Sequence, residues 1–500
     1  MGRTVKRITT LVLAAAGCCL ALAGAAPTAG AATSTASTAS TASTASTAST
    51  ASTASAAAAA GHWTAAVTVP GLAALNVGKG ASLNDLACAS GANCATGGSY
   101  TDKQGKDQAW IASEVRGSWH PAQEVPKTGQ LNPGGNADVA LVSCPAPGEC
   151  LAIGEATAAG KQSPFISTEA KGGSWTNARP IATGMWLVAI ACPHADQCVV
   201  GGSTAAGQAG VSSEHGATWS APQTLPGVAA LGKDGSEIDT LTCTSPGNCV
   251  AAGSYDIPIS YPPGEVHRQV FVSSEVKGVW HRAVEVPGTA GLNAGGWAQI
   301  TAISCPSAGN CSLGGSYENG ANEGFTFVAN EVRGSWRAAR TIPGTVDKTG
   351  EYGSTVDGLR CTAAATCLAV GGVGQDGFIV AEKAGTWGKV RLVPDLTDYG
   401  TYLSAVSCRS AGNCMVAGNA QLPNDGGEDD EGAESFVLTE VNGTWGKPKV
   451  LTVAHGGTTD SADLACGSGG DCSVGGTIQY GVSYQTAPAS YSAYVAEYTP

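Results

Sequence analysis

The chain has 500 residues, of which only 13% are charged, with 70 glycines, 18 cysteines and a formal net charge of −13. So acidic a chain, with its cations scattered, is a poor partner for a phosphate backbone, and nucleic acid is excluded as the expected ligand. Gly, Thr, Ser and Val outweigh the Lys and Glu that suit surface helices, which favours strands and turns.

In chain order, Arg3, Lys6 and Arg7 precede a long apolar run, and small residues at Ala29–Ala31 offer a cleavage point. Residues 1–31 read as a secretory signal peptide. A lipoprotein signal ending at Cys18 is disfavoured, because the apolar run continues past it. Residues 32–60 repeat Thr-Ala-Ser and then run into alanine. With no apolar face to bury, this stretch is expected to be a disordered linker, and its hydroxyls suit O-glycosylation. No other segment approaches the ~20 apolar residues that a transmembrane span needs. The expected location is secreted, or held at the cell surface.

Beyond residue 60 the cysteines set a register. Sixteen of them form eight C-x5-C pairs: Cys88 with Cys94, Cys144 with Cys150, Cys192 with Cys198, Cys243 with Cys249, Cys305 with Cys311, Cys361 with Cys367, Cys408 with Cys414, and Cys466 with Cys472. Two residues before each first Cys stands a branched apolar residue, from Leu86 to Leu464. Four residues after each second Cys stands a glycine, from Gly98 to Gly476. Successive first cysteines lie 47 to 62 residues apart. Each unit reads as four strands, A to D, with Gly, Pro and Asn between them. Four strands at that period are the signature of a propeller blade.

The ends of the chain complete the pattern. It stops at a strand C ("YVAEYTP") and the region after the linker starts with a strand D ("GHWTAAVTVPG"). The expectation is therefore an all-β, eight-bladed β-propeller over 61–500. Residues 61–70 would complete the last blade, so that N- and C-terminal strands share it. Closure of the ring also removes the free sheet edge that an open array would expose. A monomer is expected.

The turn between strands C and D repeats an acid, a glycine and a tryptophan: "SEVRGSW" (Ser113–Trp119), "TEAKGGSW" (Thr168–Trp175), "SSEHGATW" (Ser212–Trp219), "SEVKGVW" (Ser274–Trp280), "NEVRGSW" (Asn330–Trp336), "AEKAGTW" (Ala381–Trp387) and "TEVNGTW" (Thr439–Trp445). "SSEHGATW" resembles the Asp-box of sialidase-like (BNR) β-propellers, with Glu214 in place of the aspartate. In that family the box joins strands C and D, away from the active site. The resemblance implies a structural role, with the acid accepting hydrogen bonds from turn amides and the tryptophan packing between blades.

The paired cysteines flank short turns between antiparallel strands, where facing Cα atoms lie ~4.5–5.5 Å apart, within reach of a disulfide. Export to an oxidising compartment supports the same pairing. C-x5-C is not a zinc spacing, and no metal is assigned to the cysteines.

The A–B and C–D turns are nearly uniform and fall on one face of the disc. The B–C and D–A loops vary and share the other face, which is the expected binding surface. Its candidate binding residues are aromatic and acidic: Tyr100, Tyr255 and Tyr317, each two after the recurrent glycine; Trp186 and Trp297 in the D–A segments; and Asp85, Asp138, Asp239, Asp357 and Asp463 near the start of strand A. Aromatics suit sugar stacking or protein contact. The aspartates would rim the central channel and would hold Ca²⁺ or a cationic ligand; otherwise no cofactor is expected. The run Asp425–Glu434 lacks calcium-loop order and reads as a solvated insertion.

No catalytic constellation is visible. A sialidase-like enzyme needs clustered arginines, but Arg116 and Arg333 sit in the C–D turns. Arg268 lies in a B–C loop and Arg360 beside a Cys, and no triad forms. The expected function is a secreted binding or interaction protein, recognising polysaccharide, cell-wall material or a surface protein. The alternative is a glycoside hydrolase or sialidase-like enzyme with carboxylates at the channel mouth.

Overall fold

The computed structural model describes residues 61–500 except 171, 182–183, 217, 260–265, 347–352, 394–395, 397–399, 423–432, 454–456, 468–469 and 482–489. The signal, the linker and most of the Asp425–Glu434 run lie outside the described residues. The rest forms eight antiparallel sheets in which strands follow chain order, A to D. Blade 4 is representative: strand A is Gly235–Ser245, B is Asn248–Pro258, C is Val266–Val276, and D is two short pieces, Val279–Trp280 and Val284–Glu285. The other A strands are Ser82–Ser90, Ala137–Ser143, Met185–Ala191, Ala298–Ser307, Ser354–Ala363, Thr401–Ser410 and Thr458–Cys466.

Ring closure follows the expected route. His62 and Trp63 pair with Thr499 and Tyr498, and Val67 and Thr68 pair with Val495 and Tyr494. Residues from the start of the described chain thus supply the outer strand of blade 8, and the fold is an eight-bladed β-propeller.

All eight cysteine pairs are disulfides. Cys88 is bonded to Cys94, Cys144 to Cys150, Cys192 to Cys198 and Cys243 to Cys249. Cys305 is bonded to Cys311, Cys361 to Cys367, Cys408 to Cys414 and Cys466 to Cys472. Their Cα–Cα separations are 3.9–4.1 Å, somewhat closer than the facing-strand distance expected from the sequence. Such a set points to an oxidising environment. Among the described residues, no helix is long and apolar enough to cross a membrane.

The recurrent glycine has a single physical cause. A Cβ on Gly98, Gly154, Gly202, Gly253, Gly315, Gly371, Gly418 or Gly476 would lie 1.8–2.1 Å from a strand A carbonyl oxygen. That oxygen belongs in turn to Ser82, Asp138, Trp186, Glu237, Gln299, Thr355, Tyr402 and Asp460. Only hydrogen fits there. One residue further along, every strand A carries a β-bulge, for example between Leu187 and Ala189 or between Ile238 and Thr240. The glycine and the bulge together bend the innermost strand and re-aim its side chains.

The acid-glycine-tryptophan turn is mostly a two-residue hairpin. Arg116 and Gly117 both have positive φ (53° and 78°), as do Lys277 and Gly278 (52° and 80°), the signature of a type I′ turn. The glycine N–H of this turn bonds to the A–B turn of the same blade, as in Gly117 to the Ala92 carbonyl (2.8 Å) and Gly278 to the Gly247 carbonyl (2.9 Å).

The acid behaves differently from the expectation. It does not hold the turn amides but is buried in the seam against the preceding blade: Glu114, Glu214, Glu275, Glu331 and Glu382 each leave Oε2 without a partner. Burial pushes Glu114 up to about 8, helped by Glu497 and Asp471, and Glu214 up to about 7, helped by Asp196. In blade 8 the position facing Cys472 holds Tyr498, and Glu497 stands one residue earlier. Tryptophans reach across seams as expected: Trp119 Nε1 donates to Glu497 (2.7 Å), Trp175 to Ser113 (3.0 Å) and Trp63 to Thr439 (3.3 Å).

Four D–A loops contain one helical turn each, Leu72–Leu75, Thr128–Leu131, Val228–Leu231 and Thr289–Leu292, which the sequence reading did not foresee. In three of them an asparagine follows and ties the loop to a strand C. Asn76 donates to the Tyr491 carbonyl, Asn132 to the Asp107 carbonyl and Asn293 to the Arg268 carbonyl.

Candidate functional site at the channel mouth

Strand A is innermost in every sheet, so its accessible side chains open onto the central channel. Burial along it alternates. Leu83, Val139, Leu187, Ile238, Ile300, Val356, Leu403 and Ser461 are buried between blades. The residue before each of these is accessible: Ser82, Asp138, Trp186, Glu237, Gln299, Thr355, Tyr402 and Asp460. These eight form the ring at the mouth on the variable-loop face, and each is the residue whose carbonyl presses on a recurrent glycine.

One level deeper stand the bulge residues Asn84, Ala140, Val188, Asp239, Thr301, Asp357, Ser404 and Ala462. Several bind the next blade. Asn84 Nδ2 donates to the Val139 carbonyl (2.9 Å) and to Asp138 (3.3 Å); Thr301 donates to the Val356 carbonyl; Ser404 and Ser461 share a bond of 3.2 Å. The wall is therefore stitched blade to blade. The two levels together carry five acids and no lysine or arginine.

The carboxyls are perturbed. Burial, and then Glu237, push Asp239 up to about 8, although Arg268 and the Ile300 N–H pull it down. Burial pushes Asp357 up to about 6. Asp138 is raised by burial, and Glu155 behind it is pushed up to about 7 by burial and by Asp138. Glu237 is fixed by Arg268, whose guanidinium also grips Asp256: Nη1 to Glu237 is 2.9 Å and Nε to Asp256 is 3.0 Å. Arg268 lies in strand C rather than in the B–C loop.

The ten residues singled out from the sequence as binding candidates separate into three groups. Tyr100, Tyr255 and Tyr317 are buried and offer no face to a ligand, which corrects their reading as binding residues. Their hydroxyls reach strand D instead, Tyr100 to Glu124 (3.1 Å), Tyr255 to Glu285 (2.8 Å) and Tyr317 to Thr341 (2.7 Å). Asp85 and Asp463 also leave the mouth. They are buried in the wall of blades 1 and 8, each one step past the bulge. Asp85 accepts the Val142 N–H of the next blade (2.6 Å) and is raised well above the usual range by burial and by Asp463. Among the described residues no three His, Cys, Asp or Glu side chains gather as a metal set.

The remaining five stay at the channel. Asp138 and Trp186 are in the ring; Asp239 and Asp357 are one level below. Trp297 sits two residues before Gln299, at the outer lip of blade 5. Trp186 is 56% exposed and Trp297 39% exposed. Glu237, Gln299, Tyr402 and Asp460 are ring residues that the sequence reading missed. Counting back six residues from each first Cys would have found them.

The half-cystines are no part of this site. They close the A–B turns at the far end of strand A, six residues along from the ring. Cys94, Cys150, Cys198, Cys367, Cys414 and Cys472, which open strand B, are all buried and offer nothing to a ligand. Their place in the molecule is structural, as staples of the innermost hairpin.

No family model matches the chain, and no curated protein does either. Solved structures that resemble it are propellers at very low identity. The β-propeller domain of the Trilobed protease from Pyrococcus furiosus matches with a TM-score of 0.42 and 10% identity, over 76% of this chain and 100% of that one. The Neurospora crassa Pan2 WD40 domain gives 0.40 and 11%, over 71% and 91%. A six-bladed β-propeller lectin from the fungus Aleuria aurantia, with a fucose recognition mode, gives 0.33 and 11%, over 62% and 95%. These are likenesses to the propeller fold.

Proposed function

We propose that this is an exported, non-catalytic glycan-binding propeller whose ligand sits at the channel mouth on the variable-loop face. The observation that carries the reading is Trp186. It is a large apolar side chain, 56% exposed, held on an innermost strand by the contact with Gly202. Its ring neighbours are Asp138 in blade 2 and Glu237 in blade 4. An aromatic face between fixed carboxylates suits a pyranose, which stacks its C–H face and donates its hydroxyls. A protein partner would call for a wider set of apolar anchors than Trp186, Trp297 and Tyr402 set among Ser, Thr, Gln and carboxylates. With five acids at the mouth, and Arg268 already bonded to Glu237 and Asp256, the ligand is neutral or amine-bearing, not an acidic sugar. The acid-glycine-tryptophan turns support kinship with the sialidase-like propellers, whereas Arg268 is held by two carboxylates and forms no arginine cluster for that family's acidic substrate.

The test is an immobilised panel of neutral, amine-bearing and acidic glycans, probed with the secreted chain and with Trp186→Ala. The reading expects a neutral or amine-bearing hit that Trp186→Ala loses by tenfold or more. Binding confined to acidic glycans, or unaffected by Trp186→Ala, contradicts it. Release of reducing ends from a hit would favour the hydrolase reading instead.

A further inference from the structure

Several seams between blades carry one triad: a glutamate and a tryptophan from one blade face a small polar residue of the blade before. At the seam of blades 1 and 2 the triad is closed. The Ser113 hydroxyl accepts the Trp175 N–H at 3.0 Å and hydrogen-bonds to Glu169. The Ser hydroxyl is the bridge: it accepts from the indole and donates to the carboxyl.

At the seam of blades 4 and 5 the same three residue types stand in the same register, as Ser274, Glu331 and Trp336. The bridge is missing. Glu331 is 5% exposed, yet its Oε2 has no partner, and neither does Trp336 Nε1. Ser274, Glu331 and Trp336 instead line a cavity of about 470 Å³. The cavity opens beside Ala308, His281 and Arg282, on the constant-turn face. Its wall joins Val250, Val272, Val276, Val284 and half-cystines to Thr242, Thr244, Asn248 and Glu275, and its accessible lining is mostly apolar, more so than a water cluster would need. Burial raises Glu331, which suits a carboxyl that exchanges hydrogen bonds with a neutral partner. Glu214 and Trp219, Glu275 and Trp280, and Glu382 and Trp387 leave the same atoms without a partner at other seams, and Glu275 also lines this cavity, so loss of the bridge alone does not define a site; the cavity does.

We infer that this cavity is a second binding site, for one hydroxyl-bearing ring such as a terminal pyranose unit. A ligand hydroxyl takes the place that Ser113 fills elsewhere, accepting from Trp336 Nε1 and donating to Glu331. The apolar face of the ring lies on the valines. The site is on the opposite face from the channel mouth and does not depend on it.

The experiment is calorimetric titration of the whole secreted chain with neutral monosaccharides (glucose, galactose, mannose and N-acetylglucosamine), followed by a crystal soak with any that bind. Ala308→Trp fills the entrance from an exposed position and leaves the triad intact. Trp186→Ala serves as the mouth control. The inference expects saturable binding that persists in a Trp186→Ala background, where the mouth is disabled, and that Ala308→Trp weakens at least tenfold in that background, with sugar density between Ser274 and Trp336. No binding by the panel, binding insensitive to Ala308→Trp, or density for water alone would overturn it. Loss in Trp186→Ala only would overturn this site while leaving the mouth reading standing.

Discussion

The two faces of the disc are built on opposite plans. On the turn face the blades repeat one chemistry: a disulfide in all eight, and in blades 1 to 6 a glutamate buried behind the C–D turn with a tryptophan in the seam. At the channel mouth the backbone is equally uniform, with one bulge and one glycine per blade, but the side chains it presents are Ser, Asp, Trp, Glu, Gln, Thr, Tyr and Asp. A constant frame that displays non-repeating side chains is what a recognition surface needs. Constant side chains in a constant frame serve the frame.

That contrast is most severely tested at Gly202, which belongs to the frame yet sits under a mouth residue. A Cβ there would lie 1.8 Å from the Trp186 carbonyl oxygen, so Gly202→Ala must push strand A outward. The expected loss is about 3 kcal/mol in urea unfolding, the upper end for overpacking, together with loss of ligand binding. A near-neutral effect would mean the close contact is not what shapes the mouth.

The turn face predicts a dependence on pH. Glu114 is pushed up to about 8, and Glu214 and Glu497 to about 7, chiefly by burial. In the unfolded chain such groups titrate near ~4.3, so between that pH and 7–8 the folded state holds the extra protons. Their contribution is complete below about pH 4 and is lost as pH rises through the folded values. Melting should fall several degrees from pH 5.5 to pH 8.5, and Glu114→Gln should flatten the slope. A melt that rises over that window contradicts the seam assignment.

The double substitution Cys88→Ser with Cys94→Ser should cost about 2 kcal/mol, the chain-entropy value for so short a loop. Glycan binding at the mouth should not change, because the bridge lies at the other end of strand A. A tenfold loss of binding would show that the faces are coupled.

Much of the frame was legible because each constraint recurs once per blade. The cysteine pairs, the recurrent glycine and the two incomplete ends led directly to an eight-bladed ring. The mouth was legible only in part, since recognition residues do not repeat. Asp85, Asp138 and Asp239 look alike in the sequence, but the bulge inserts a residue between them and sends Asp85 into the wall. Tyr100, Tyr255 and Tyr317 hold one place in three blades; that regularity belongs to packing residues bonded to strand D, and reading them as binding residues mistook it. The asparagine after Leu75, Leu131 and Leu292 was a further repeated signal, and it marks the loops that are clamped. The role of the C–D turn acids could not be read from the turn alone. Their burial depends on the neighbouring blade, which a single repeat does not contain.

The most direct test of the mouth as the binding surface is hydroxyl-radical footprinting of the whole chain, with and without the glycan that the panel selects. The account predicts that Trp186 and Trp297 lose reactivity when ligand is bound, while the exposed turn-face valines Val279 and Val441 keep theirs. Protection on the turn face with Trp186 and Trp297 unchanged would contradict it.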